Sequence, residues 1–370
     1  MDFDFTDEQI QLRDAVQRWA DKGYDFERRR RIVAAGGFDA DAWRELADLG
    51  LTGLTVPEAH GGLGLGPVEA MVVMEALGHG LVMEPLAQTL LAAAVLQRHA
   101  DAALQTDWLP RLAAGDRMVL AHTERRSRHR LDHCTTTATA DGAGWRLGGT
   151  KHVVPAGDRA DAWLVPARLD GALALFCVER GAPGATATGY ATQDGSRAAD
   201  LVLDGAPARL VSRDSDTALA WAVDVGIALA CAQAVGVMDR TLALTLEYLN
   251  TRKQFGVPIG SFQALRHRAA DMKMELELAR SMSYYATLKL GEPDPQRRQA
   301  LARAKVQLGR SMRFVGQQAV QLHGGIGVTD EYVVSHCFKT LTQLELTFGD
   351  TLHHLGEVAA RMTDEAGVAA

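Results

Sequence analysis

The sequence predicts an α+β fold of three domains in chain order: helical, antiparallel β, helical. Three observations predict it. Apolar residues recur at helical spacing up to about residue 116. From Met118 the chain breaks into short Val-, Thr- and Leu-rich runs punctuated by Gly, Asp and Pro. From Asp216 helical spacing returns and persists, first over more than thirty residues. The expected boundaries are 1–116, 117–213 and 214–370.

In the first segment, Thr6 and Gln9 form a capping-box pattern ahead of the periodic Ile10, Leu12, Val16 and Trp19. A second helix, DADAWRELADLG, ends at Gly50, a good residue just past a helix. Further helices are expected from Val68 to Leu77 and from Pro85 to Arg98. In the second segment MVLAHT, CTTTATA, GWRLGGT, HVVP, AWLVPAR, ALALFCV and DLVLDG read as roughly seven strands. The third segment carries long helices over 216–249, 262–290, 296–322, 331–344 and 351–363. Its most apolar stretch, Ala218 to Val237, has the length of a membrane span. Asp224 and Gln233 interrupt it, and a central carboxylate is expensive in lipid, so a buried bundle helix is expected and no membrane partner.

Composition narrows the function. The chain of 370 residues is 47% apolar and 23% charged, ordinary for a globular protein. A net charge of −7 argues against nucleic acid, which favours a basic face. Cys134, Cys177, Cys231 and Cys337 are far apart, which suits a reducing compartment and excludes a zinc ribbon. The acidic, amphipathic start matches neither a signal nor a transit peptide, so a cytoplasmic chain is expected.

Several motifs carry chemistry. TRKQFGVPIGSFQ (251–263) interrupts two long helices. It reads either as a plain helix-end loop or as an anion site, with a guanidinium for phosphate and an aromatic for a flat ring. QLHGGIGVTDEY (321–332) is a Gly-rich turn between helices that lets a ligand approach the backbone. No strand precedes it, so it is not a dinucleotide fingerprint. PEAHGGLGLG (57–66) lacks that strand too and reads as a structural loop. HTERRSRHRLDH (122–133) is either a solvated basic loop or an anion-facing loop near the substrate, and ERRRR (27–31) a solvated helix face. His353 and His354, adjacent on a helix, are expected to point apart, and no metal is expected.

Taken together, PEAHGGLGLG, AHTE, TRKQFGVPIGSFQ and QLHGGIGVTDEY resemble the acyl-CoA dehydrogenase family over nearly the whole chain. Within it, MDFDFTDEQ, HGGLGLGPVEAMVVMEALG, AHTERRSR and TFGDTLHHL are similar to the small subunits of pimeloyl-CoA dehydrogenases, which are half of a two-subunit enzyme. The resemblance implies an N-terminal helical domain, a middle antiparallel β-barrel domain and a C-terminal four-helix bundle. It implies FAD, an acyl-CoA substrate and an electron-transfer flavoprotein as electron acceptor, in a homo- or hetero-oligomer (dimer or tetramer). A glutamate removes the α-proton while a hydride leaves the β-carbon for the flavin.

Carried over by position, Arg252, Gln254, Phe255 and Gln263 match the segment that reaches the FAD of a neighbouring subunit. Gln321, Gly324 and Gly325 match the loop near the adenosine and pyrophosphate, and Thr123 a threonine at the flavin ring. The base does not carry over. One family location holds Phe348, the other, 26 residues before Arg252, holds Gly226, and Asp350 is a weak substitute with Glu345 one helical turn earlier. A Trp-x-Thr pair that packs on the flavin is replaced by Val153 and Pro155, and RRSRHR replaces a Gly-rich loop. The resemblance therefore implies α,β-desaturation of an acyl-CoA by a heteromer in which this chain is the base-lacking small subunit and a homologous large subunit supplies the glutamate. The alternatives are a self-sufficient homo-oligomer with a displaced base such as Asp350, and a flavin-free acyl-binding or assembly subunit.

Overall fold

The structure, a computed structural model, describes residues 5–142 and 144–365. Helices come first: α1 (Asp7–Gly23), α2 (Phe26–Ala34), α3 (Ala40–Asp48), α4 (Pro67–His79), α5 (Leu86–His99) and α6 (Ala102–Ala113). Strands follow: β1 (Met118–Leu120), β2 (Thr137–Asp141), β3 (Gly144–Pro155), β4 (Ala162–Leu169), β5 (Ala172–Glu179), β6 (Ala185–Ala191) and β7 (Arg197–Ser212). The rest is α7 (Ser215–Thr251), a small hairpin of β8 (Lys253–Gln254) and β9 (Val257–Pro258), then α8 (Gln263–Lys289), α9 (Asp294–His323), α10 (Val333–Leu346) and α11 (Thr351–Glu365).

The capping box forms as expected: Thr6 accepts from the Gln9 amide, and the Gln9 side chain accepts from Thr6 N–H. Sequence reading gave α2 only as the helix face of 27–31 and passed over α6. It also split β3 in two, as GWRLGGT and HVVP, and omitted β6. The reason is physical: a bulge between Lys151 and Val154 interrupts the period-2 pattern of β3.

By compactness the chain divides into two units, each assembled from separated segments. One combines Arg31–Gly66 with Met83–Gly226 and contains the strands. Here β4, β2, β3, β7 and β5 pair in turn, and β5 pairs back onto β4, which closes a five-stranded ring. The pairing is mostly antiparallel, but β1 joins β4 in parallel, Met118 opposite Ala162. Inside the ring lie Val119, Leu147, Trp163, Val165, Phe176, Val178 and Leu201, all but shut off from solvent. Trp163 satisfies its buried indole N–H on Gly157 O at 2.9 Å. The loop of 57–66 folds back on residues 53–56 through amides of Leu63, Gly64 and Leu65, which supports its structural reading.

The other unit combines the described residues of Met1–Arg30, Pro67–Val82 and Ile227–Ala370. Its spine is α9, which packs against α8, α10 and α11. Leu301, Leu308, Met312 and Val315 of α9 are buried to 2% exposure or less, each contributing roughly 2 kcal/mol of burial. A side chain at Gly236 of α7 would collide with Glu75 O of α4, so the two helices cross at backbone contact. Arg280 of α8 then ties Glu75 to Asp239. The apolar window of α7 is 89% buried within the protein, as expected of an internal helix. ERRRR meets its expectation in part: Glu27, Arg30 and Arg31 are exposed on one face of the helix, but Arg29 is buried to 1%.

Candidate functional site

The TRKQFG segment is a projecting hairpin. Thr251 turns its hydroxyl back onto Glu247 O at 2.9 Å, closing α7. Gln254 pairs with Val257 and Lys253 with Pro258, leaving Phe255 and Gly256 as a two-residue turn. Both adopt positive φ, +54° and +83°, the conformation of the tight turns that suit twisted hairpins. For Phe255 that conformation costs about 1 kcal/mol. The ring gains little from its own chain in return, being 91% exposed with an edge contact to Phe262 at 6.1 Å. The Arg252 guanidinium is exposed and has no partner among the described residues. Gln254 and Gln263 are also exposed.

QLHGGIGVTDEY lies at the same end of the unit. Tyr248, one turn before Arg252, stacks on His323 with ring centroids 4.4 Å apart, and Tyr332 closes on His323 at 5.3 Å. His323 is fixed by donating from Nδ1 to Ala319 O at 2.8 Å. This aromatic bridge joins the two motifs. Sequence reading missed Tyr248, although its place one helical turn from Arg252 was a usable signal. Gln321, Gly324 and Gly325 face solvent. Gly324, at φ +64° and ψ −141°, occupies a region essentially closed to other residues, and nothing lies within 4 Å of where its side chain would be. An open backbone, a free guanidinium and an exposed ring fit a ligand with phosphates and a flat ring system.

The LELTFGD turn is built differently, because its carboxylates and several of its carbonyls hold neighbouring groups in place. Lys305 of α9, buried to 1%, donates to Leu344 O at 2.6 Å and Glu345 O at 3.1 Å at the end of α10. Burial pulls its pKa down to about 8, against the opposing pull of Cys231, Glu345 and Asp350. The Glu345 carboxylate accepts from Thr351 N–H at 2.9 Å, Thr351 Oγ at 2.6 Å and Arg313 at 3.2 Å. Asp350 caps α11, its Oδ1 accepting from His353 N–H at 2.7 Å. His354 donates from Nε2 to Phe348 O at 3.0 Å. Phe348, at φ +56°, is thus held in a left-handed conformation from both sides. His353 and His354 do not point apart as expected, since their rings meet edge-on at 5.0 Å near the start of α11. Gly226 is buried inside α7 and offers no side chain.

Thr123 belongs to the β-containing unit. Its carbonyl accepts from His152 N–H at 2.8 Å, beside the β3 bulge. Glu124, next in sequence, is buried to 4% and fully engaged. It accepts from Lys151 Nζ at 2.7 Å, Thr135 N–H and Oγ at 2.6 Å, and Thr136 N–H and Oγ at 3.1 and 2.7 Å. Burial alone raises its pKa, but Lys151 and the threonines outweigh burial and hold it well below the carboxylate range. Glu124 is therefore an anchor for the strand start. Of the basic loop, Ser127 is buried and pins the turn to Glu124, while Arg125, Arg126 and Arg128 stand in solvent. Val153, the position at which the resemblance expects a flavin-packing Trp, is 51% exposed at φ +53°, an outlier for a β-branched residue.

The family models for the acyl-CoA dehydrogenase N-terminal domain and C-terminal domain match residues 6–116 and 217–363. The acyl-CoA dehydrogenase FadE27 of Mycobacterium tuberculosis is 32% identical over 336 residues, 88% of this chain and 89% of its own. The chain belongs to the acyl-CoA dehydrogenase family. The fold agrees. A subunit of the ChsE4-ChsE5 complex from Mycobacterium tuberculosis superposes with a TM-score of 0.89 at 32% identity, covering 98% of this chain and 99% of that one. A chain of the Tcur3481-Tcur3483 steroid ACAD superposes at 0.90, also 32% identical, covering 97% and 99%. As an acyl-CoA dehydrogenase family member the chain belongs among oxidoreductases whose members bind FAD.

Proposed function

We propose that this chain is the base-lacking subunit of a heteromeric acyl-CoA dehydrogenase, and that its hairpin and Gly-rich loop hold the FAD of a homologous partner chain. The observation that carries this reading is the LELTFGD turn. Its two carboxylates, Glu345 and Asp350, are both committed to holding backbone, and the position of the base is a phenylalanine. Arg252 would meet the FAD pyrophosphate, Phe255 would pack on its ring system, and the Gly324–Gly325 backbone would leave room for the adenosine end. Thr123 remains a candidate for the flavin ring of the chain's own subunit. When bound, FAD supplies the hydride acceptor. The partner would supply the carboxylate that takes the α-proton of the acyl-CoA, and an electron-transfer flavoprotein would be the electron acceptor.

Similarity to a chain of a two-component complex supports the heteromer. For substrate we retain a dicarboxylyl-CoA, on the resemblance to the pimeloyl-CoA dehydrogenase small subunits, with Arg125, Arg126 and Arg128 as cations for a distal carboxylate. Similarity to a steroid ACAD favours a bulky cyclic thioester as the second choice. The deciding measurement is the visible spectrum and FAD content of the chain purified alone and with a homologous large subunit. Little flavin alone, rising to about half an FAD per total chain in the complex, is expected. One FAD per chain in isolation, with turnover, refutes the reading.

A further inference from the structure

We propose that His336 is a pH-sensitive positioning residue, a neutral imidazole that clamps the Gly-rich loop from behind and releases it on protonation. The inference rests on the reading of that loop as a cofactor contact. His336 lies in the first turn of α10, 6% exposed. Its Nδ1 sits 2.5 Å from Nη1 of the buried Arg29 on α2. A guanidinium has no acceptor, so Nδ1 must present its lone pair and the ring proton must be on Nε2. Nε2 then donates to Asp330 O at 3.0 Å, the last stretch of the loop before α10. Arg29 is itself oriented by its Nε bond to Leu81 O at 3.1 Å, and the Phe26 ring meets His336 edge-on at 5.0 Å. One tautomer satisfies both neighbours; the other satisfies neither.

Protonation places a second N–H on Nδ1, facing the guanidinium. The Arg29 contact is lost and a new cation is buried between Arg29 and Lys339, with the Asp330 carboxylate already engaged by Lys339. Burial first, then the Arg29 and Lys339 charges, pull His336 below the ordinary imidazole range, against the Asp330 carbonyl and carboxylate. The neutral form is therefore favoured in the fold. Its contribution is complete above about pH 6.5, the ordinary histidine value, and is lost as pH falls through the lower folded value.

The test uses the full chain. Hydrogen exchange of peptides spanning 324–332 is measured near pH 8 and pH 5.5 and corrected for the intrinsic rate. Wild type should lose protection on the order of tenfold on acidification, while H336Q, which cannot titrate, should show the same protection at both values. In R29M the loss of protection between pH 8 and pH 5.5 should shrink, because without the cation facing Nδ1 the folded value rises toward the ordinary histidine value. Selective imidazole 15N spectra of wild type should show an unprotonated Nδ1 at neutral pH. The opposite tautomer, an unchanged wild-type response, or an H336Q response equal to wild type overturns the clamp. FAD retention by the two-chain complex over the same pH range is a separate readout. An acid-sensitive loop with acid-insensitive FAD retention would leave the clamp standing and remove the cofactor role of the loop.

Discussion

Asp350→Asn separates the two readings of the site by several kcal/mol. The carboxylate caps α11 by accepting from His353 N–H at 2.7 Å. Asparagine caps a helix about as well as aspartate, so Asp350→Asn should cost no more than about 0.5 kcal/mol, chiefly the lost charge at the helix start. Asp350→Ala, which removes the acceptor, should cost about 1 kcal/mol. If Asp350 were the base, the amide would be unable to accept the α-proton. General base catalysis is worth roughly 100- to 10,000-fold, or about 2.7 to 5.4 kcal/mol in the barrier. The assay is turnover of an acyl-CoA by the co-purified two-chain complex with an artificial electron acceptor, alongside thermal unfolding of the same sample. We expect kcat within about twofold of wild type for Asp350→Asn, since rate differences of that size correspond to only about 0.4 kcal/mol. A fall of 100-fold or more at unchanged Tm would mean that the helix cap is also the base, and the assignment of the base to a partner chain would be wrong.

Three further outcomes follow from the same geometry. Glu124→Gln leaves Lys151 buried without its carboxylate and should destabilise the β-containing unit by about 3–5 kcal/mol, read by denaturant unfolding. Because the Glu124 pKa is depressed in the fold, its contribution is present above the usual glutamate value of 4.5 and is lost as pH falls below it, so the acid limb of the wild-type stability profile should be missing in the variant. Phe255→Gly relieves the positive φ and should stabilise the isolated chain by about 1 kcal/mol while lowering the FAD content of the complex; a stable variant with unchanged FAD would show that the ring is not a cofactor contact. Arg252→Ala should leave the stability of the isolated chain within about 0.5 kcal/mol, its guanidinium having no partner among the described residues, and should release FAD from the complex on gel filtration.

Much of the fold was legible because its elements announce themselves locally. The Thr6 box, the long apolar periodicities and the Val- and Thr-rich strands each depend on neighbours in sequence. What escaped depends on distant partners. Arg29 sits in a run of four arginines and looks solvated, yet Leu81 and His336 bury it. The parallel pairing of β1 with β4 leaves no mark in a three-residue strand. The motifs of the site were visible, but their state was not. Sequence shows that Asp350 is two residues from the expected base; only the structure shows that its Oδ1 already caps a helix start.

Three bulky residues share an unusual feature. Phe255, Val153 and Phe348 all hold positive φ, and all three are positions that the family resemblance would place at a flavin contact or at the catalytic base. Left-handed backbone at such residues costs energy, so it persists where the surroundings over-determine it. At Phe348 the surroundings are identifiable: Lys305 fixes the preceding carbonyls, Glu345 and Asp350 fix the following helix, and His354 holds Phe348 O. At Phe255 no comparable set exists among the described residues, and the ring is 91% exposed. The two cases therefore have different causes. The Phe348 turn keeps its shape through its own hydrogen bonds, although its side chain can no longer remove a proton. The Phe255 turn pays its strain without an internal return, which is intelligible if the return is a contact made in another chain.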